Sequence, residues 1–226
     1  MTTRLLLCLL TLFSIAAVAG LPSAEARIGD TRSQLEGRLK GEGGAVAYSR
    51  KFLEAKFTEH ARARWPEKIV ALNIREMLAE AEPPISVEVG IYFKKAEADR
   101  ANSRDLDERV SPEGWDVYVL FLGGRSVLET YKRTPELSEH ERNGLLHVQR
   151  GESNWLPADP EEEQIATEIG YSFLRADGEM NALARGRTLT FYSTRFDEMV
   201  RRVADAAREK ADGEARERAP ESIRGF

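Results

Sequence analysis

The sequence predicts an α+β fold: a single antiparallel sheet of about five or six strands with helices packed on one face. Three observations predict it. Ile85, Val87, Val89, Ile91 and Phe93 alternate strictly with polar or small residues, as in a half-buried strand whose successive side chains point to opposite faces. Gly123-Gly124 and Asp177-Gly178 are two-residue turn signals between apolar segments, and such short links impose antiparallel pairing. Helical apolar spacing appears at both ends of the folded region, and Ser138…Glu141 forms a capping box between the sheet segments.

The first residues are read separately. Arg4 is a positive n-region, Leu5 to Val18 is an apolar h-region, and Gly20 and Pro22 break the run. Ala24-Glu25-Ala26 is an A-x-A site, so cleavage is expected after Ala26, giving a signal peptide over 1–26 and a periplasmic or secreted product. An uncleaved N-terminal anchor is the alternative, although the run is short of the roughly 20 apolar residues that span a bilayer.

From Gly29 to Leu39 a helix is expected, capped by Asp30 or Thr31, with Leu35 and Leu39 on one face and Gly41, Gly43 and Gly44 beyond its end. Ala45 to Phe57 fits a strand passing into a helix, and Thr58 to Ala81 leans helical through Val70, Ile74, Met77, Leu78 and Ala81. Pro83-Pro84 ends that segment. The strand to Phe93 is followed by a polar, aperiodic loop over 94–114.

Trp115 to Leu122 is apolar on nearly both faces and is expected to be central in the sheet. Ser126 to Lys132 is its hairpin partner. The capping box starts a helix that runs to about Gln149. Ile165 to Phe173, Glu179 to Ala184 and Arg187 to Ser193 are read as a strand meander. A final helix begins near Arg195 with Phe196, Met199, Val200, Val203, Ala204, Ala207 and Ala211 as its apolar stripe. The domain is expected to span 27–212, with a charged, disordered tail over 213–226.

Composition excludes several chemistries. Cys8 is the single cysteine and lies in the h-region, so the processed chain carries no thiol for catalysis, disulfides or thiolate metal sites. With 33 Lys and Arg against 38 Asp and Glu the net charge is −5, which argues against nucleic acid or anionic lipid as the main partner. Arg62, Arg64 and Lys68 read as a solvated helix face. No apolar run after residue 26 could span a bilayer.

Candidate chemical groups each meet a simpler structural explanation. His140 and His147 are seven apart on the capping-box helix without the i,i+4 spacing of a metal pair, and His60 stands among charged residues. Asp105, Asp107 and Glu108 could converge on a hard cation, but lack the Asp/Asn-Gly pattern of a calcium loop. Asp159 and Glu161 to Glu163 form an acidic run that keeps a sheet edge soluble. No Gly-x-Ser-x-Gly elbow, phosphate loop or dinucleotide fingerprint occurs. A carboxylate pair for glycoside chemistry would meet only in three dimensions. Trp65, Trp115 and Trp155 sit at element boundaries, as core-edge packing or as a partner or sugar surface.

Two stretches carry a resemblance. Ile28-Gly29-Asp30-Thr31-x-x-Gln34-Leu35-x-x-Arg38-Leu39 and Val119-x-Phe121-x-Gly123-Gly124-x-Ser126-Val127-x-Glu129-x-Tyr131, with Gly151 to Trp155 after the helix, resemble a group of uncharacterised exported bacterial proteins. More distantly, the Gly-x-Thr helix followed by a small antiparallel sheet is similar to BamE/SmpA-type outer-membrane assembly lipoproteins, from which this chain departs in lacking a lipid-bearing cysteine and in being larger. The expected function is a non-catalytic envelope module that binds a protein or cell-surface polymer through its sheet and the 94–114 loop, without a cofactor. The alternatives are a hydrolase or carbohydrate-active protein with a dispersed carboxylate site, and a divalent-metal binder through Asp105, Asp107 and Glu108.

Overall fold

The computed structural model describes residues 28–41, 45–47, 85–94, 114–159 and 167–222. In chain order the elements are α1 (Arg32–Gly41), β1 (Ala45–Ala47), β2 (Val87–Lys94), β3 (Gly114–Leu122), β4 (Arg125–Thr134), α2 (Glu139–Gln149), β5 (Trp155–Pro157), β6 (Phe173–Arg175), β7 (Met180–Arg185), β8 (Thr188–Ser193) and α3 (Thr194–Ser222). All strands join one antiparallel sheet in the order β1-β2-β3-β4-β8-β7-β6-β5. The α+β class and the single antiparallel sheet are as expected.

The sheet has eight strands rather than five or six. Three of them, β1, β5 and β6, are only three residues long, too short to show a periodicity in sequence. The expected strand from Ile165 to Phe173 is not one over its described part: only Phe173 pairs, within β6. The reason is where the backbone groups go. The Glu168 and Ile169 N–H groups donate to the Asp197 carboxylate at 3.0 and 2.8 Å, and the Gly170 carbonyl accepts from the Tyr192 hydroxyl at 2.7 Å.

β3 and β4 lie inside the sheet, where both of β3's faces are apolar and its register with β2 and β4 is long. The Gly123-Gly124 turn joining β3 and β4 has both residues at positive φ (57° and 79°), the combination a tight two-residue hairpin needs and glycine reaches without strain. The pairing slips between Leu120 and Phe121, so that Leu120 faces Leu128 but Phe121 faces Ser126. That bulge re-aims Ser126 toward the face that Glu129 and Tyr131 share.

Helices cover both faces, where packing on one was expected. On the first face Leu35 of α1 and Leu146 of α2 join Tyr92, Val117, Val119, Phe121, Tyr131, Leu189 and Phe191 in one buried cluster. On the second, Phe196 and Val200 of α3 pack on Leu120, Leu128, Tyr192 and Ile169. A nearly continuous apolar β3 could only be satisfied by cover on each side. α3 runs helical through Ser222, and every residue from Asp205 to Arg218 is exposed. No helix among the described residues is long and apolar enough to cross a membrane.

Candidate functional site

One row of side chains crosses six strands on the first face: Gly90, Val119, Glu129, Phe191, Ala182 and Phe173. A carboxylate stands in the middle of it. Glu129 is 0% exposed, and an ionised group in that position requires partners, because burial removes its hydration.

The partners arrive on helices whose ends are fixed locally. Thr31 caps α1: its hydroxyl accepts from the Gln34 N–H at 3.3 Å, and the Gln34 side-chain oxygen accepts from the Thr31 N–H at 2.9 Å. This leaves Asp30 to pair with Arg38, two turns along the helix, at 3.0 Å. The same stretch is stitched to the start of β4, since the Gly29 N–H donates to the Ser126 carbonyl at 2.8 Å and the Ser126 N–H donates to Asp30. At α2 the expected capping box is present: the Ser138 hydroxyl accepts from the Glu141 N–H, and Glu141 accepts from the Ser138 N–H at 3.0 Å. α2 then ends on buried Gln149.

Around Glu129 the geometry is compact. The Tyr131 hydroxyl donates to Oε2 at 2.7 Å and the Gln149 amide donates to the same oxygen at 3.1 Å. The Arg38 guanidinium donates to Oε1 at 3.4 Å, and its other arm reaches the Tyr131 hydroxyl, also at 3.4 Å. Gly90 makes room beside this group: a Cβ there would stand 2.7 Å from the Tyr92 ring, which lies back over it and donates its hydroxyl to Glu36. Arg32 closes the α1 side over the Phe121 ring at 5.1 Å, paired with Glu88 at 3.3 Å.

The electrostatics follow from burial. Burial pushes the Glu129 carboxyl above its ordinary value, against the opposing pull of Arg38 and of the Tyr131 hydrogen bond. Burial likewise raises Tyr131, and the neighbouring Glu129 charge adds to the rise, so its hydroxyl stays a donor. Burial works against the Arg38 charge, but Glu129, Tyr131 and Asp30 outweigh it and keep the guanidinium above its ordinary value. Such a group can hold a proton and can bind two helices to a strand. It offers no accessible surface for attack on a substrate, because nothing of Glu129 is exposed.

The sequence-derived candidates fall elsewhere. Ala26, His60, Trp65, the 62–68 basic residues, Glu161 to Glu163 and the proposed metal ligands Asp105, Asp107 and Glu108 lie outside the described residues. Within them, no group of three or more His, Cys, Asp or Glu is placed to hold a metal ion. His140 and His147 are exposed on α2. Trp115 lies under the Arg133 guanidinium at 5.7 Å, and Trp155 donates its indole N–H to the Leu146 carbonyl at 2.8 Å while packing on Phe191. Both tryptophans thus serve the edge of the core.

Sequence reasoning did not single out Glu129, Arg38, Asp30 or Gln149 as a group. A signal was present. Glu129 is an acidic residue at an inward position of a hairpin strand, sharing a face with Tyr131, and an inward carboxylate needs a cation from elsewhere in the chain. Asp30 and Arg38 fall within residues 28–39 and Glu129 and Tyr131 within residues 119–131, two stretches that the fold brings together. Comparison of the chain with protein-family models, curated proteins and solved structures found no match.

Proposed function

We propose that the chain is an exported, non-catalytic module that binds a partner protein in the cell envelope, using the exposed length of α3 and the sheet edge at β5. The observation that carries this reading is α3 itself. Beyond Ala204 it runs on for about 27 Å, at 1.5 Å per residue, with Asp205 to Arg218 exposed. Its own ion pairs, Arg208 with Asp205 at 2.6 Å and Arg218 with Glu214 at 2.9 Å, support it as an arm of mixed charge. Such a surface suits a protein of complementary charge better than a polyanion. On β5, the last strand of the sheet among the described residues, Leu156 is 50% exposed.

The buried carboxylates fit the same reading. Glu129 is held by Arg38, Tyr131 and Gln149, Asp197 by two backbone N–H groups, and Asp116 lies 3.9 Å from Lys132. Asp30 and Glu129 meet on one guanidinium rather than across open space, unlike the carboxylate pair of a glycoside hydrolase. The sheet faces are covered by helices, so the surface available to a partner shifts to the edge and to α3. An assembly role of the kind the BamE/SmpA likeness implies is one form of this binding.

A photocrosslinking residue at Ala211 or at Leu156 is expected to yield a discrete protein adduct in intact envelopes. The same group at Gly186, on the β7–β8 turn, serves as the control. Equal labelling at all three positions overturns the reading, and adducts to polysaccharide alone replace the protein partner by a polymer. N-terminal sequencing of the product tests export, with Arg27 the expected first residue.

A further inference from the structure

We propose that the folded domain shields its own processing point: residues 28–31 are stitched to the start of β4 so closely behind Ala26 that a protease reaches the bonds at 26–28 only before this segment docks. The inference rests on the export reading above and adds an order of events to it, cutting first and docking second.

Backbone groups that a protease would use just past the cut are already engaged. The Gly29 N–H donates to the Ser126 carbonyl at 2.8 Å and also lies 3.1 Å from the Ser126 hydroxyl oxygen. The Gly29 carbonyl accepts from the Arg125 guanidinium at 2.9 Å, and the Asp30 carbonyl accepts from the Ser126 N–H at 2.8 Å. Thr31 forms an antiparallel bridge with Arg125 and then caps α1. Ile28 packs against the first-face cluster that holds Leu35, Tyr92 and Phe121.

Two physical facts make this stitch a barrier. A protease binds its substrate extended, through main-chain N–H and C=O groups, much as a strand is added to a sheet. Gly29 stands at φ 101°, outside the extended region, and its N–H and C=O are turned to β4. The second fact is reach. Ala26 lies two residues before Ile28, at most about 7 Å of chain. That is less than the roughly 10 Å between packed sheet layers, so an enzyme cleft cannot enclose the bond while Ile28 rests on the cluster. The stitch can also be loosened at one atom. A Cβ at Gly29 would meet nothing within 4 Å, so Gly29→Ala adds no clash and acts only through the positive φ, which glycine adopts at little cost.

Trypsin, which cuts after Arg27, probes the barrier without reference to export. In mild detergent the full chain is expected to lose the Arg27–Ile28 bond at least about tenfold more slowly than a peptide of residues 22–31, because cleavage follows the fraction of open segment. Gly29→Ala, placed in both chain and peptide, is expected to narrow that ratio by about fivefold. A leader peptidase of A-x-A specificity is expected to cut after Ala26 when present while the chain refolds from urea, and about tenfold less when added afterwards. Equal trypsin rates on chain and peptide, or an unchanged ratio in Gly29→Ala, overturn the proposal. Full cleavage after Ala26 in the refolded chain overturns it as well. Failure of the export reading looks different: no cut after Ala26 even during refolding, with the trypsin ratio intact, removes that reading and the leader order with it.

Discussion

The two faces of the sheet are closed in different ways. Under α3 the contact is apolar: Phe196 and Val200 settle on Leu120, Leu128 and Tyr192, and the one acidic residue of the first turn, Asp197, turns aside to hold the 168–169 backbone. Under α1 and α2 the contact also has an apolar part, Leu35 and Leu146 among the aromatic residues, but Glu129 sits inside it with Arg38 and Gln149. An apolar contact is non-directional and tolerates sliding. A buried carboxylate with three donors fixes two helices at one point and makes that point sensitive to loss of any partner. The difference separates a face built for adhesion from one built for register.

The largest expected effects test whether the faces are independent. Phe196→Ala should cost about 3–5 kcal/mol, the range for emptying a buried aromatic site. Arg38→Ala should cost about 3–5 kcal/mol on the other face, because it leaves Glu129 buried without its cation. Urea unfolding of the double variant should give the sum to within about 0.5 kcal/mol. A clear departure would mean that the sheet couples its two sides. Combining Arg38→Ala with Glu129→Gln should recover part of the loss, since the uncompensated charge goes with the acid.

Smaller effects sharpen the contrast. Asp197→Ala should cost about 1–3 kcal/mol, because two backbone donors lose their acceptor. Limited proteolysis should then cut at 167–170 while α1 stays protected. Gly90→Ala should cost about 1–3 kcal/mol through overpacking against the Tyr92 ring. Its effect should appear in α1 protection and leave the α3 face unchanged. Ser138→Ala should cost about 1 kcal/mol at the start of α2.

The cap also holds a carboxyl shifted in the opposite direction to that of Glu129. Arg133 and the Ser138 hydrogen bonds hold Glu141 well below the usual carboxylate range, at about 2. Its contribution is therefore present above the ordinary carboxyl range and disappears only as pH falls through about 2. An acid titration of α2 exchange rates, with Glu141→Gln as reference, checks it.

Local rules made much of this fold legible. The alternation from Val87, the Gly123-Gly124 and Asp177-Gly178 turns, the capping box at Ser138 and the stripe of α3 each appear where their spacing puts them, because each depends on residues within a few positions of one another. Three-residue strands carry no period, so β5 and β6 could not be read. The 167–170 stretch has a strand's alternation but loses its backbone donors to Asp197, a residue nearly thirty positions away.

By itself, the sequence determined an α+β chain with an antiparallel hairpin inside the sheet, capped helices and no cysteine after Cys8. Tertiary structure alone decided that helices cover both faces and that Glu129 meets Arg38, ninety-one residues apart, beside Tyr131 and Gln149. Turns and caps are settled by short-range sterics and hydrogen bonds. Which distant side chain neutralises a buried charge is settled only when the sheet register, the bulge opposite Leu120 and Phe121 and the docking of two helices bring the groups within reach.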